Sequence, residues 1–180
     1  MATNAYQQGD SERAAELLKQ SAQALGQMRA YGNLVTVLSN LYAITDKSNL
    51  IYLAQAVWLC IKVQAPLQET LSILKHLYNV VPQADELAAL LAAFALFLCA
   101  QRGHGHPQLA QLQEHAGKMM AAAAGAQGIT TQDALVDWFT QQQLNDSAVS
   151  LPRLSQRLEG LIDNQWAFDP SPLQSMETGA

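Results

Sequence analysis

The chain has 180 residues, 49% of them hydrophobic and 14% charged, with a formal net charge of −5. An average globular chain is about 25% charged, so this composition supports a sizeable core and argues against general disorder. The ten Lys and Arg are scattered from Arg13 to Arg157 with no basic run, which argues against nucleic acid or an anionic membrane surface as a partner.

Strand-type alternation is nearly absent, and helical spacing recurs almost throughout. The first residues, Met-Ala-Thr-Asn-Ala-Tyr-Gln-Gln, have neither a basic n-region nor an apolar h-region, so no signal peptide is expected. A first helix is expected over about Ser11 to Leu25, with Asp10 or Ser11 as its cap. Its apolar face would be Ala14, Leu17, Leu18, Ser21, Leu25 and Met28. A second, about Arg29 to Ile44, turns Tyr31, Leu34, Val35, Leu38, Leu41 and Tyr42 inward. Thr45 to Ser48 is a cap-rich break. A third helix, about Ser48 to Val63, is strongly apolar and carries Trp58; it must end before Pro66, because the residue before proline avoids helical geometry.

Pro66 suits the first turn of a fourth helix burying Leu67, Leu71, Leu74, Leu77 and Tyr78 and stopping near Pro82. The fifth contains the longest apolar run, fourteen residues from Leu87 to Ala100. A membrane span needs about 20 residues, so this run reads as a helix buried on all sides. Asp85 can cap its start, and Arg102-Gly103 supplies a cation and a stop. After a loop over Arg102–His106, Pro107 opens a sixth helix with Leu109, Leu112, Ala116 and Met119 on one face. It is expected to fray in the run from Ala121 to Gly128. Thr130-Thr-Gln-Asp133 has the form of a capping box and opens a seventh helix with Leu135, Trp138 and Phe139 in the core. Ser150 is the expected cap of an eighth, where Leu151, Leu154, Leu158, Leu161 and Ile162 recur at three- and four-residue steps. Trp166 and Phe168 read as an aromatic anchor. The domain organisation is therefore one helical domain over 1–165, followed by an anchor and loose tail over 166–180.

The expected helix starts near residues 11, 29, 47, 66 and 84 make each pair advance by 36 or 37 residues, a period that suggests stacked helical hairpins. Tyr6-Gln-Gln-Gly9-Asp10, with Ala14, Leu18 and Ala22 following, resembles the middle of a tetratricopeptide repeat. Gly9 permits a tight turn, Asp10 caps the next helix, and Ala14 lets two helices approach. The resemblance covers about Tyr6 to Ala22. It implies an all-α, right-handed superhelix of antiparallel hairpins, with about seven to eight helices here. It also places Gly9-Asp10 inside a repeat, so the chain is expected to start within one, as the C-terminal part of a larger signalling or regulatory protein. The face Ala14, Leu17, Leu18 and Leu25 would then be open on one side, and a homodimer through the N-terminal helices is expected.

The resemblance puts binding on the first helix of each hairpin. The polar stripes there are Arg29-Asn33-Thr36-Asn40, Gln68-Ser72-Lys75-Asn79 and Gln108-Gln111-Glu114-Lys118. Arg29 with Asn33, and Lys75 with Asn79, are basic-plus-amide pairs at i, i+4. Some tetratricopeptide proteins clamp a peptide carboxylate with residues so placed. The candidate peptide-binding set is Arg29, Asn33, Asn40, Lys75 and Asn79, against the plain alternative of solvated helix faces. His104-Gly-His106 with His115 invites a metal reading, but no carboxylate or Cys stands at ligand spacing and no metal site is expected. Cys60 and Cys99 lie in apolar runs and read as reduced core thiols, which suits a cytoplasmic protein. No nucleophile elbow, phosphate-binding Gly loop or HExxH occurs, and no enzyme activity or cofactor is expected. The expectation is a protein–protein interaction module binding a protein or peptide. The alternative is a helical domain that takes a small molecule or lipid in an interior lined by Trp58, Phe94 and Phe97.

Overall fold

The computed structural model describes residues 10–46, 50–63 and 65–174. Among these are nine helices and no strand: α1 (Ser11–Gln27), α2 (Tyr31–Ile44), α3 (Ile51–Lys62), α4 (Leu67–Val80), α5 (Glu86–Arg102), α6 (Leu109–Ala126), α7 (Gln132–Gln141), α8 (Ser147–Ile162) and the single-turn α9 (Ser171–Gln174). Tyr6, Gly9, Ser48 and residues 175–180 lie outside the described residues. Pairwise, the helix starts advance by 40 residues from Ser11 to Ile51, 36 from Tyr31 to Leu67, 35 from Ile51 to Glu86 and 42 from Leu67 to Leu109. They do not keep a uniform step. Among the described residues the helices group into two compact units, one of residues 10–46, 50–63, 65 and 158–174 and one of 66–157, with the boundary inside α8 after Arg157.

In the first unit, α1 packs on α2 and α2 on α3. The Asp10 carboxylate accepts the Arg13 backbone N–H at 2.9 Å and caps α1. Ala14 and Ala22 are the fully buried side chains of α1, and their small size allows close approach. Leu17, Leu18 and Leu25 are half-buried, while Met28, expected on the same face, is exposed because it falls in the turn that ends the helix. Arg29 in that turn has φ +54°, so α2 begins at Tyr31 and not at Arg29. In α3 every residue from Leu53 to Ile61 is buried, the polar Gln55 included. Trp58 donates its indole N–H to Glu159 Oε1 at 2.8 Å. Phe168 is buried against Gly26, where a Cβ would stand 3.0 Å from Phe168 Cβ. Leu173 on α9 is buried as well.

In the second unit, α4 packs on α5, α5 on α6 and α6 on α7. Short connections between helices packed side by side make these antiparallel hairpins. The Asp85 carboxylate caps α5 by accepting the Leu87 N–H at 2.8 Å, and Gly103 closes the helix. A Cβ on Gly103 would collide with the Cys99 carbonyl and with Leu109, so glycine is needed there for space. Eleven of the seventeen residues of α5 are buried, from Leu87 to Ala95 and again at Leu98 and Cys99. Arg153 of α8 pairs with Glu86 and Arg157 pairs with Asp85, linking the part of α8 up to Arg157 to the start of α5.

Three expectations fail here. The sixth helix does not fray in the alanine run: α6 continues to Ala126 because Ala123 and Ala124 are buried, and it stops at Gly128, φ +81°. The seventh helix places nothing in the core, since Leu135, Trp138 and Phe139 are only half-buried. The eighth starts at Ser147, with Asp146 accepting the Ala148 N–H at 2.9 Å. Pro152 lies inside it and removes one helical hydrogen bond.

Candidate functional site

A cleft of about 330 Å³ lies in the second unit, between α4 and α6 over α5. Its origin is local. On α4 the side chains Leu67, Ile73, Leu74, Leu77 and Tyr78 turn into the core. The opposite edge, Gln68, Ser72 and Lys75, is left exposed, with Leu71 half-buried beside it. On α6, Ala116, Met119 and Met120 go inward, while Gln111 and His115 stay exposed and Leu112 half-buried. The two edges face each other, and Ala95 of α5 forms the floor between them. A larger side chain at Ala95 would fill the space. Tyr78 ties the walls together by donating its hydroxyl to the Met119 carbonyl at 2.6 Å. Burial pushes the Tyr78 phenol up, so it keeps its proton and remains a donor.

The walls therefore offer amides from Gln68, Gln108 and Gln111, the Ser72 hydroxyl, the Lys75 ammonium and the His115 ring, above apolar patches from Leu71, Leu112 and Met119. Among the lining residues none is acidic. His115 is held by its own helix: Nδ1 donates to the Gln111 carbonyl at 2.8 Å, which leaves Nε2 as the ring's other polar atom. The neighbouring Glu114 pairs with Lys118, whose hydrogen bond holds the Glu114 carboxyl below the usual range. This arrangement can hydrogen-bond a main chain and take an apolar side chain.

Of the five candidate peptide-binding residues, Lys75 lines this cleft, and Asn79 is exposed one turn further along α4. Asn33 and Asn40 are exposed on α2 in the first unit. Arg29 precedes α2, so it shares no helix face with Asn33. Three cleft residues were not singled out from sequence. Leu71 and Leu112 sit at the edges of apolar stripes and read as core. His115 read as a remote third member of the His104–His106 set. The only hint was that each lies three or four residues from a polar stripe member.

Among the described residues no group of three His, Cys, Asp or Glu is placed to hold a metal ion. His106 accepts the Gln108 N–H on Nδ1 at 3.2 Å and thereby helps start α6. Cys60 and Cys99 are buried thiols outside any disulfide, and burial pushes the Cys99 thiol up. Trp58 is fully buried and Phe94 nearly so, while Phe97 is half-buried at an outer groove with Leu96, Phe139 and Leu144. No described helix is long and apolar enough to cross a membrane. Comparison with protein-family models, with curated proteins and with solved structures finds no match.

Proposed function

We propose that this chain is a protein-interaction module, built as a short right-handed array of helix hairpins in the manner of tetratricopeptide repeats, and that an extended segment of a partner protein docks in the α4–α6 cleft. The observation that carries the reading is the meeting of two polar stripes, Gln68-Ser72-Lys75 and Gln108-Gln111, across one open groove. Amide side chains at that spacing suit the unpaired N–H and C=O groups of an extended chain. Leu71, Leu112 and Met119 supply apolar surface for one or two of its side chains, as in recognition grooves generally. An open, mixed groove supports a macromolecular ligand better than an internal lipid site, and the buried Trp58 and Phe94 support the same choice. The reading calls for no catalytic step and no cofactor, and it places the protein in the cytoplasm.

A random peptide library displayed on phage, selected against the full chain, tests it. Enriched peptides that bind the wild-type chain and lose at least about tenfold in affinity to Leu112→Arg are the expected result. Peptides that bind Leu112→Arg equally well, or no enrichment over repeated rounds, would remove the cleft from consideration.

A further inference from the structure

We propose that a second recess, beside Trp166 in the first unit, is a binding site for a small planar ring that carries a carboxylate. It is independent of the α4–α6 cleft. An aromatic anchor at the end of a domain normally buries its ring. Here Phe168 and Leu173 do that, whereas Trp166 is only half-buried. Its backbone is nevertheless held firmly. After α8 the chain passes through Asp163 and Asn164 at φ +47° and +60°, a conformation that these two residue types tolerate. Fully buried Gln55 then grips the loop on both sides of Trp166. Its Nε2 donates to the Gln165 carbonyl, and its Oε1 accepts the Ala167 N–H, each at 2.9 Å. The Trp166 ring lies edge-on to Trp58 at 4.8 Å and to Phe168 at 5.6 Å. A buried amide is costly unless both its ends are matched. The matched amide here fixes the backbone on both sides of Trp166, whose ring keeps one part in contact with Trp58 and Phe168 and another part open to solvent.

What that ring faces defines the ligand. The recess holds about 240 Å³ and is lined by Lys19 and Gln23 of α1, Tyr52 of α3, and Gln165, Trp166 and Ala167. Lys19 and Gln23 are i, i+4 neighbours and share a face. Lys19 has no ion pair among the described residues, and no acidic residue lines the recess. Tyr52 and Trp166 give aromatic surface for a flat ring, the Lys19 ammonium meets a carboxylate, and the Gln23 amide can donate to its second oxygen. The same ammonium repels a cationic ligand. The volume lies below the range of about 300–1,000 Å³ typical of drug-sized ligands, so one ring or two fused rings is the limit.

The full chain has three tryptophans, and their indole N–H signals in nitrogen-15 correlation spectra report separately on Trp58, Trp138 and Trp166. Benzoate is the probe, with benzamide and cyclohexanecarboxylate as controls. The expected result is a saturable benzoate shift centred on the Trp166 signal, with a dissociation constant of about a millimolar, as befits so small a ligand. Benzamide and Lys19→Gln should each weaken it by about fivefold. Cyclohexanecarboxylate and Tyr52→Leu should weaken it by a similar factor, with the Trp58 signal unmoved as the sign of an intact fold. No saturable shift at Trp166, equal binding of benzamide, equal binding of cyclohexanecarboxylate, or indifference to Lys19→Gln would each overturn the proposal.

Discussion

Helices α5 and α7 carry similar proportions of large apolar side chains, yet α5 buries eleven residues and α7 buries none. The difference lies in what fills the places between the large side chains. In α5 those places are Ala88, Ala89, Ala92, Ala93, Ala95 and Cys99, so neighbours approach from every side. In α7 they are Gln132, Asp133, Asp137, Thr140 and Gln141, which keep more than half of the helix in water. Trp138 and Phe139 can therefore cover a surface but cannot enter a core. Apolar content identifies a helix that wants cover, and the small residues decide how many partners can reach it.

Substitutions along the two helices can break or sharpen that contrast. The largest effect is expected at Phe94, which is 4% exposed. Phe94→Ala should cost about 3–5 kcal/mol through the cavity it leaves, measured as a shift of the urea midpoint; a loss under about 1 kcal/mol would contradict its burial. Gly103→Ala comes next. The added Cβ meets the Cys99 carbonyl, which cannot move without opening the last turn of α5, and about 1–3 kcal/mol should be lost. Serine in place of alanine should be no better tolerated, since it carries the same Cβ.

Capping is worth less. Asp85→Ala should cost about 1 kcal/mol at neutral pH. The Asp85 carboxyl is held below its usual range chiefly by the Leu87 N–H, with Arg157 adding to this against the opposing effect of burial. Its folded value lies below its unfolded one, so its contribution is complete above about pH 4 and is lost as the pH falls through the folded value. Wild type and Asp85→Ala should therefore converge in acid, which denaturation at a series of pH values would reveal. On α7, Phe139→Ala should remove about 1 kcal/mol, in keeping with half-burial. Hydrogen exchange should show α7 opening locally while α5 exchanges only on global unfolding; equal protection of the two helices would erase the distinction. The smallest effect is Glu114→Gln, which breaks an exposed pair with Lys118 and should leave the midpoint unchanged.

The sequence by itself determined that the chain is helical, several of the helix ends and which helix is central. Asp10 and Asp85 cap two helices, Pro66 precedes α4, Gly103 ends α5, and most of the Leu87–Ala100 run is buried, with Leu96 and Phe97 half-buried and Ala100 exposed. The caps, the proline and the glycine act over about four residues or fewer, and the apolar run acts through the faces of its own helix. Where local signals conflicted, as with Pro152 inside α8 and the alanine run of α6, packing settled the outcome. The candidate sites belong wholly to the tertiary structure. Leu71 and Leu112 became groove walls only because α4 and α6 meet over Ala95. Gln55, an amide in an apolar helix, found its partners at Gln165 and Ala167, more than a hundred residues away. Trp166 is half-buried, edge-on to Trp58 and Phe168, while Phe168 is buried against Gly26. A helix face can be read from its own period, but the face it meets is chosen by the whole chain when it closes around its core.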